Sequence, residues 1–360
     1  MNRSNASLVS EYKAGFKKKI WLLLVLLFCL ATLVVLSVSI GSYELSFIEV
    51  LRSLAGLEQG TSRIVVWDIR MPRIITAIVT GCALGVSGMA IQTLLRNPLG
   101  SPFTLGISQG AAFGASFSII VLGAGSVVTS TPGVQSMTAG SFAGLYTTTA
   151  FAFVGAIGAT MVILLLARLR KMSPQSIILA GVALSSLFTS GTILVQYFAT
   201  EEQIAQAVFW TFGDVTRSGW AEISVLSVVT VIVVVYYFLS RWSFNALSVG
   251  KDVCESLGVN VNRLRLWGMF FAALVAAMAT AFNGVIAFLG LLAPHISRWL
   301  VGSDYRLLIP FSCLIGAGLL LAADTAGRLI LGSGALPVGV LTSFMGAPLF
   351  LCLLIKGGGR

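Results

Sequence analysis

The chain has 360 residues, 57% of them apolar and only 10% charged, with 38 glycines and a formal charge of +10. Soluble domains carry about 25% charged residues, and no stretch here is polar enough to solvate one, so an ordinary water-soluble enzyme is excluded. The alternating ten-residue segments of a membrane barrel are also missing, which leaves helices as the way to satisfy backbone groups in lipid.

Crossing about 30 Å of hydrocarbon takes roughly 20 helical residues. Residues 74–95, 172–200, 266–297 and 329–355 contain no Asp, Glu, Lys or Arg, and the charge-free stretch 97–167 is long enough for two helices around a loop. Turn residues and charges divide the chain into ten predicted helices, at about 20–40, 73–95, 104–122, 142–167, 176–199, 222–239, 266–283, 286–300, 308–324 and 337–356. Residues 1–19 read as a polar, basic cytoplasmic tail, and the apolar run that follows exceeds the 7–15-residue core of a signal peptide, so it is read as a retained first helix. The break within 105–167 is placed at 123–141, on Gly-Ala-Gly and Thr-Pro-Gly. The expected fold is all-α: one polytopic membrane domain over 20–360, with 241–265 as its longest inner loop.

With the N-terminus inside, 17 of the 23 Lys and Arg fall on inner segments, while nine of the 13 Asp and Glu fall on outer ones. This bias predicts that both termini are cytoplasmic. The basic balance therefore reads as topology and attraction to anionic lipid headgroups, not as a nucleic-acid surface. Arg52, Arg63, Arg70, Arg73, Arg217 and Arg328 remain as the outer cations on an otherwise acidic face. Five scattered cysteines without a CxxC pair and a single histidine predict no disulfide framework, metal site or redox centre.

Three segments carry the informative residues. Gly81, Gly85 and Gly88 recur at helical spacing and line one face, where a second helix can approach closely. Asn97-Pro98 and Ser101-Pro102 then end that helix in an irregular inner turn, and Gln92, one turn before the end, is read as a polar group facing a water-filled path. In the loop 241–265, Asp252 is expected to cap a short helix, Leu257 to supply its apolar side and Gly258 its left-handed stop; such a helix suits either a soluble partner or the headgroup surface. In the third segment Pro294 breaks an apolar helix near the inner face. His295, Arg298, Asp304 and Arg306 are expected to form one ionic cluster there, with His295 a structural donor and not a ligand or proton relay.

In this order the segments resemble the FecCD-type permeases, membrane subunits of binding-protein-dependent ABC importers for ferric siderophores, haem and cobalamin. The matching strings are Arg70-Met-Pro-Arg73, the block from Gly81 to Gly106 with Arg96-Asn97-Pro98-Leu99, Leu179-Ala-Gly-Val-Ala-Leu184, the loop from Gly250 to Gly258, Gly290-Leu-Leu-Ala-Pro294-His295, Ala322-Ala-Asp324 with Arg328, and Leu336-Pro-Val-Gly339 through Gly346-Ala-Pro348-Leu-Phe350. The resemblance runs from about residue 65 to the end. It implies ten helices, a second permease subunit that is the same or a different chain, two cytoplasmic ATPases and an extracytoplasmic binding protein, in a bacterial or archaeal cell membrane. No G-x-x-x-x-G-K-[ST] sequence occurs, so the chain is expected not to be an enzyme; ATP and magnesium would belong to the ATPases, and no cofactor is expected here.

The resemblance further implies roles for single residues. Gly250, Asp252, Glu255, Leu257 and Gly258 would form the helix that couples to the ATPase, and Arg70, Arg73 and Arg328 would pair with acidic residues of the binding protein, although pairing with Asp68 or Asp324 is the simpler reading. The path would lie between the fifth and tenth helices of two subunits, with an inner gate at Ser173, Pro174 and Gln175 and with Gln92, Asn97 and Ser185 along it. An iron complex is the expected cargo and cobalamin the alternative. An ion-coupled secondary transporter would need ionisable groups at membrane depth, and Asp324, at the end of a predicted span, is the nearest.

Overall fold

The computed structural model describes residues 2–41, 43, 45–57, 60–124, 139–170, 173–331 and 336–357. Among them the chain is helical throughout: α1 (Asn2–Ser39), α2 (Phe47–Leu54), α3 (Thr61–Leu94), α4 (Ile107–Ile120), α5 (Ala139–Arg170), α6 (Pro174–Tyr197), α7 (Glu201–Thr211), α8 (Trp220–Leu239), α9 (Arg241–Val249), α10 (Lys251–Ser256), α11 (Val261–Asn283), α12 (Leu289–Val301), α13 (Tyr305–Leu331) and α14 (Val338–Gly357). Each of the ten helices expected from the sequence is present. Seven are long and apolar enough to cross a membrane unaided, and the apolar stretches Ile107–Ile120 and Val338–Pro348 are shorter. Most of the expected break at 123–141 lies outside the described residues.

The central helix is α3, buried along nearly all its length from Pro72 onward. Gly81, Gly85 and Gly88 are what permit this. A Cβ added at Gly81 would collide with the Gly316 carbonyl, at Gly85 with that of Ser312 and at Gly88 with that of Gly290. The stripe thus seats α3 against α13 and α12 with backbone meeting backbone. On another side, the Ser87 hydroxyl donates to the Ala272 carbonyl of α11 at 2.7 Å. The first helix lies outermost, where Phe16, Leu22, Leu23 and Leu26 pack on Ala293, Phe311 and Ile315 of α12 and α13.

The two ends of the bundle separate as the charge bias requires. At one end Lys19 donates to the Val301 carbonyl at 2.8 Å, close to the Asn245, Asp304 and Arg306 group. At the other, the last turn of α1 meets Arg70 and Arg328. Segments expected inside therefore share one end of the bundle, and segments expected outside share the opposite end.

Two features depart from the sequence reading. The ninth predicted helix was drawn to stop at 324, but α13 continues to Leu331, because the Asp324 charge is compensated within the bundle and does not end the helix. Two outer helices, α2 and α7, were also missed. Each begins with a capping box, Ser46 with Glu49 and Thr200 with Gln203, so the signal for both was present.

Gly88→Ala is expected to lower stability by at least about 1–3 kcal/mol, the cost of forcing atoms into a filled contact. Gly158→Ala, in open space on α5, is expected to stay within about 0.5 kcal/mol of the parent. Thermal unfolding of the purified proteins in one detergent compares the two, and equal midpoints would show that the stripe is not a close contact.

Candidate functional site

At the inner end, Gly250 in an extended conformation separates α9 from α10 and starts the short helix at Lys251. Asp252 consequently lies in the first turn and not at the cap; there its charge still complements the helix dipole. The Gly258 N–H donates to the Glu255 carbonyl at 2.9 Å and the Val259 N–H to that of Cys254 at 3.1 Å. Gly258 closes this turn with φ +80°, the left-handed stop expected of it. The side chain that anchors α10 inward is Cys254. Leu257 supplies the apolar side expected of it and turns it away from the bundle: it is 67% exposed and, with exposed Val249 and Val253, forms an apolar patch. Lys251 and Glu255 pair across one turn at 3.6 Å on the surface, where such pairs contribute little.

Beneath this lever the expected four-residue ionic cluster divides in two. Arg298 turns into the bundle, donating to the Gln92 amide oxygen and, at 3.4 Å, to the Thr93 hydroxyl. Thr93 in turn shares a 2.5 Å hydrogen bond with the Tyr305 hydroxyl. Gln92 is 2% exposed and also donates to the Leu291 carbonyl at 3.2 Å, so it joins α3 to α12 and does not face an aqueous path. Asp304 instead pairs with Arg306 at 2.7 Å. Burial alone would raise the Asp304 carboxyl, but hydrogen bonds and charge from Arg306 outweigh it and hold the group below its ordinary value. His295 is half-buried beside Arg298 and, among the described residues, makes no hydrogen bond or ion pair with either group.

One residue without a distinguishing sequence signal connects the two groups. Asn245, on α9, accepts the Tyr305 backbone N–H at 3.0 Å and approaches Asp304 at 3.5 Å. The lever is thereby tied to the first turn of α13.

At the outer end, Asp324 is fully buried between two guanidinium groups, with Arg73 at 2.8 Å and Arg328 at 3.3 Å. Arg328 donates to the carbonyls of Ser37 at 3.0 Å and Ile40 at 2.9 Å. Arg70, 4% exposed, donates to those of Val38 and Tyr43. The final carbonyls of a helix lack intrahelical partners and carry its negative dipole end, so these arginines cap α1. All three face inward in this chain, in the pairing that the simpler sequence reading describes for Arg73 and Arg328, and Asp68 takes no part.

The remaining candidates lie on or near α6. Ser173 caps that helix, accepting the Ser176 N–H at 3.2 Å, and Pro174 and Gln175 form its first turn. Ser185 donates to the Gly181 carbonyl of its own helix at 2.8 Å. Asn97 accepts the Leu99 N–H at 2.8 Å and shapes the turn after α3. Across the bundle, an apolar cavity of about 490 Å³ is bounded by Phe212, Val285, Gly339, Val340, Phe344 and Pro348.

The FecCD transport family model matches residues 26–356. A putative ABC transporter permease protein of Methanocaldococcus jannaschii is 48% identical over 96% of this chain and 97% of its own. The hemin transport system permease protein HmuU of Yersinia pestis is 34% identical, over 92% and 96%. The vitamin B12 import system permease protein BtuC of Vibrio cholerae is 35% identical, over 81% and 82%. Among solved structures, an inward-facing putative metal-chelate type ABC transporter superposes with a TM-score of 0.78 at 30% identity, over 93% of this chain and 99% of that one.

Asp324→Asn would leave two largely buried guanidiniums, those of Arg73 and Arg328, without a carboxylate, and breaking a buried pair from one side costs about 3–5 kcal/mol. The variant is expected to unfold at a clearly lower temperature than the parent, whereas Arg52→Gln, at an exposed site on α2, should not differ measurably. Matching midpoints for Asp324→Asn and the parent would remove Asp324 from its central place in the outer lock.

Proposed function

Because the chain belongs to the FecCD transport family, whose relatives include ABC transporter permeases, we propose that it is the membrane-spanning subunit of an ATP-driven importer that carries an iron complex, a ferric siderophore or haem. The complex is delivered by an extracytoplasmic binding protein and passes between two permease subunits by alternating access. The chain works with two cytoplasmic ATPases that hold the ATP and magnesium.

The observation that carries this reading is the inner lever. A helix of six residues projects between two membrane spans, shows Val249, Val253 and Leu257 to the inner side, and is tied through Asn245 to the start of α13. An exposed apolar patch rimmed by charge suits a groove on a soluble partner. Gly250, Asp252, Glu255, Leu257 and Gly258 form that contact.

Two further features support a second subunit and a passive path. Leu179, Val182, Leu187 and Leu194 on α6, and Phe344 and Met345 on α14, are exposed in the single chain. Those are the fifth and tenth predicted helices, between which the path is proposed, with Ser173, Pro174 and Gln175 at its inner gate. The nearby cavity is apolar and holds no carboxylate or histidine, which suits a conduit that passes a large complex without retaining it. The hemin system relative and the metal-chelate transporter structure support an iron complex; the vitamin B12 relative keeps cobalamin as the competing cargo.

Leu257→Asp is expected to abolish co-purification of the ATPase and ATP-dependent uptake while leaving the thermal midpoint of the permease unchanged. Normal association and transport would overturn the assignment of the lever. In proteoliposomes holding the full complex, uptake from a panel of ferric siderophore, haem and cobalamin, each presented on its binding protein, is expected to require ATP and to favour an iron complex. Uptake driven by an ion gradient without ATPase would instead establish a secondary transporter.

A further inference from the structure

A second cavity, of about 540 Å³, opens at the inner end where the ends of α3, α6 and α11 meet the lever. It is lined by Arg96, Ser173, Pro174, Gln175, Lys251 and Arg265, together with Leu95. Among the described residues three cations face it and no carboxylate lines it. Arg265 Nε is buried and has no hydrogen-bond partner, and Arg96 is held at φ +48°, a conformation rare for a residue with a side chain. Such strain persists where surrounding structure enforces it and gathers at functional sites.

The backbone adds to the positive field. The first turn of α6, a helix of 24 residues, lies on the cavity wall. Ser173 satisfies the Ser176 N–H and Pro174 has none to offer, so the Gln175 N–H is a free donor among the described residues. A helix N-terminus with unpaired N–H groups attracts anions. Glu255, the acid within electrostatic reach of Arg265, pairs with Lys251 at 3.6 Å on the exposed side and does not line the cavity.

We propose that this cavity is an anion site that takes a phosphate group and, on the permease reading above, fastens the start of α6 to the coupling lever. Two guanidiniums, an ammonium and a helix N-terminus offer more donors than one carboxylate can accept, and they suit the several oxygens of a phosphate. Inner-leaflet lipid headgroups and free phosphate are both within reach of this end of the bundle, and they share the chemistry.

The test uses the full chain in nanodiscs of zwitterionic phosphatidylcholine. One arm adds inorganic phosphate at constant ionic strength; another replaces part of the lipid with phosphatidylglycerol. The expected result is a rise in thermal midpoint and, by native mass spectrometry, retained phosphate or lipid. Apparent affinity should fall about tenfold or more in Arg96→Gln/Arg265→Gln, the loss expected for charge-assisted hydrogen bonds, and recover in part with Arg96→Lys/Arg265→Lys. Lys251→Gln, at an exposed position, gives a weaker loss in a protein that folds regardless. A response to phosphatidylglycerol alone assigns the site to lipid, and a response to both assigns it to phosphate from either source. No response in either arm, or one unchanged in the glutamine variants, overturns the proposal. ATPase binding lost in the glutamine variants without any phosphate response would give the cavity to a carboxylate of the ATPase and likewise overturn it. Because these shifts are read on the chain alone, they are independent of whether wild-type protein co-purifies with an ATPase, which is where failure of the permease reading would appear.

Discussion

The structure depends on the contact between α3 and α13. Within lipid there is no hydrophobic force to drive helices together, so they associate through close packing and polar bonds. Here glycine allows the first and both ends supply the second. Arg73 meets Asp324, Gly81 meets Gly316, Gly85 meets Ser312 and Thr93 meets Tyr305. As the position on α3 rises the position on α13 falls by nearly the same amount, so the helices run antiparallel in one unbroken register. From the outer lock to the inner one is about 20 residues on either helix, or about 30 Å at 1.5 Å per residue. That is the thickness of the hydrocarbon. The polar bonds therefore sit at the two interfaces and the glycine contact fills the depth between them.

This arrangement separates what is rigid from what is free to move. The inner lock receives Arg298 and Gln92 from the α3 and α12 side and Asn245 from the lever side. Force applied to α9 and α10 therefore enters the antiparallel pair at its end, where the side chains are bonded and not merely packed. At the far end the same pair holds the last turn of α1 through Arg70 and Arg328. By contrast α6 and α14 present much of their apolar surface outward, and among the described residues Ser173, Ser185 and Thr192 of α6 bond only within their own helix and its cap. A two-subunit transporter that alternates its openings calls for this division: a stiff unit that transmits displacement, and faces able to repack against a neighbour.

Helix number and the division of the loops between two ends were legible in the sequence because both follow from local quantities, the length of apolar runs and the placement of Lys and Arg. The glycine stripe was legible for the same reason, since spacing alone puts Gly81, Gly85 and Gly88 on one face. What the sequence hid was long-range pairing. Asp324 looked like the end of a span because an isolated carboxylate has no place in lipid, yet Arg73, 251 positions away, compensates it. Gln92 looked like a path residue until α12 brought Arg298 to it, and Arg298 and Asp304 looked like parts of one cluster until the chain gave them different partners. What spacing did not show in the short inner helix is that Gly250 starts it at Lys251, leaving Asp252 in its first turn and Cys254 facing the bundle. The capping boxes of α2 and α7, by contrast, were readable.

The outer lock also bears on how transport is powered. A carrier coupled to protons or cations needs a carboxylate at depth that changes state as the path opens and closes. Asp324, the one buried acidic residue among the described residues, has no exposed surface and lies between two arginines. Removing its carboxylate would leave both guanidiniums without their partner in a largely buried site. It lines neither the apolar cavity nor the cationic one. A group so constrained serves to close the outer end of a helix pair. The exposed, apolar and firmly anchored feature of the chain lies at the opposite end, where α9 and α10 meet the start of α13.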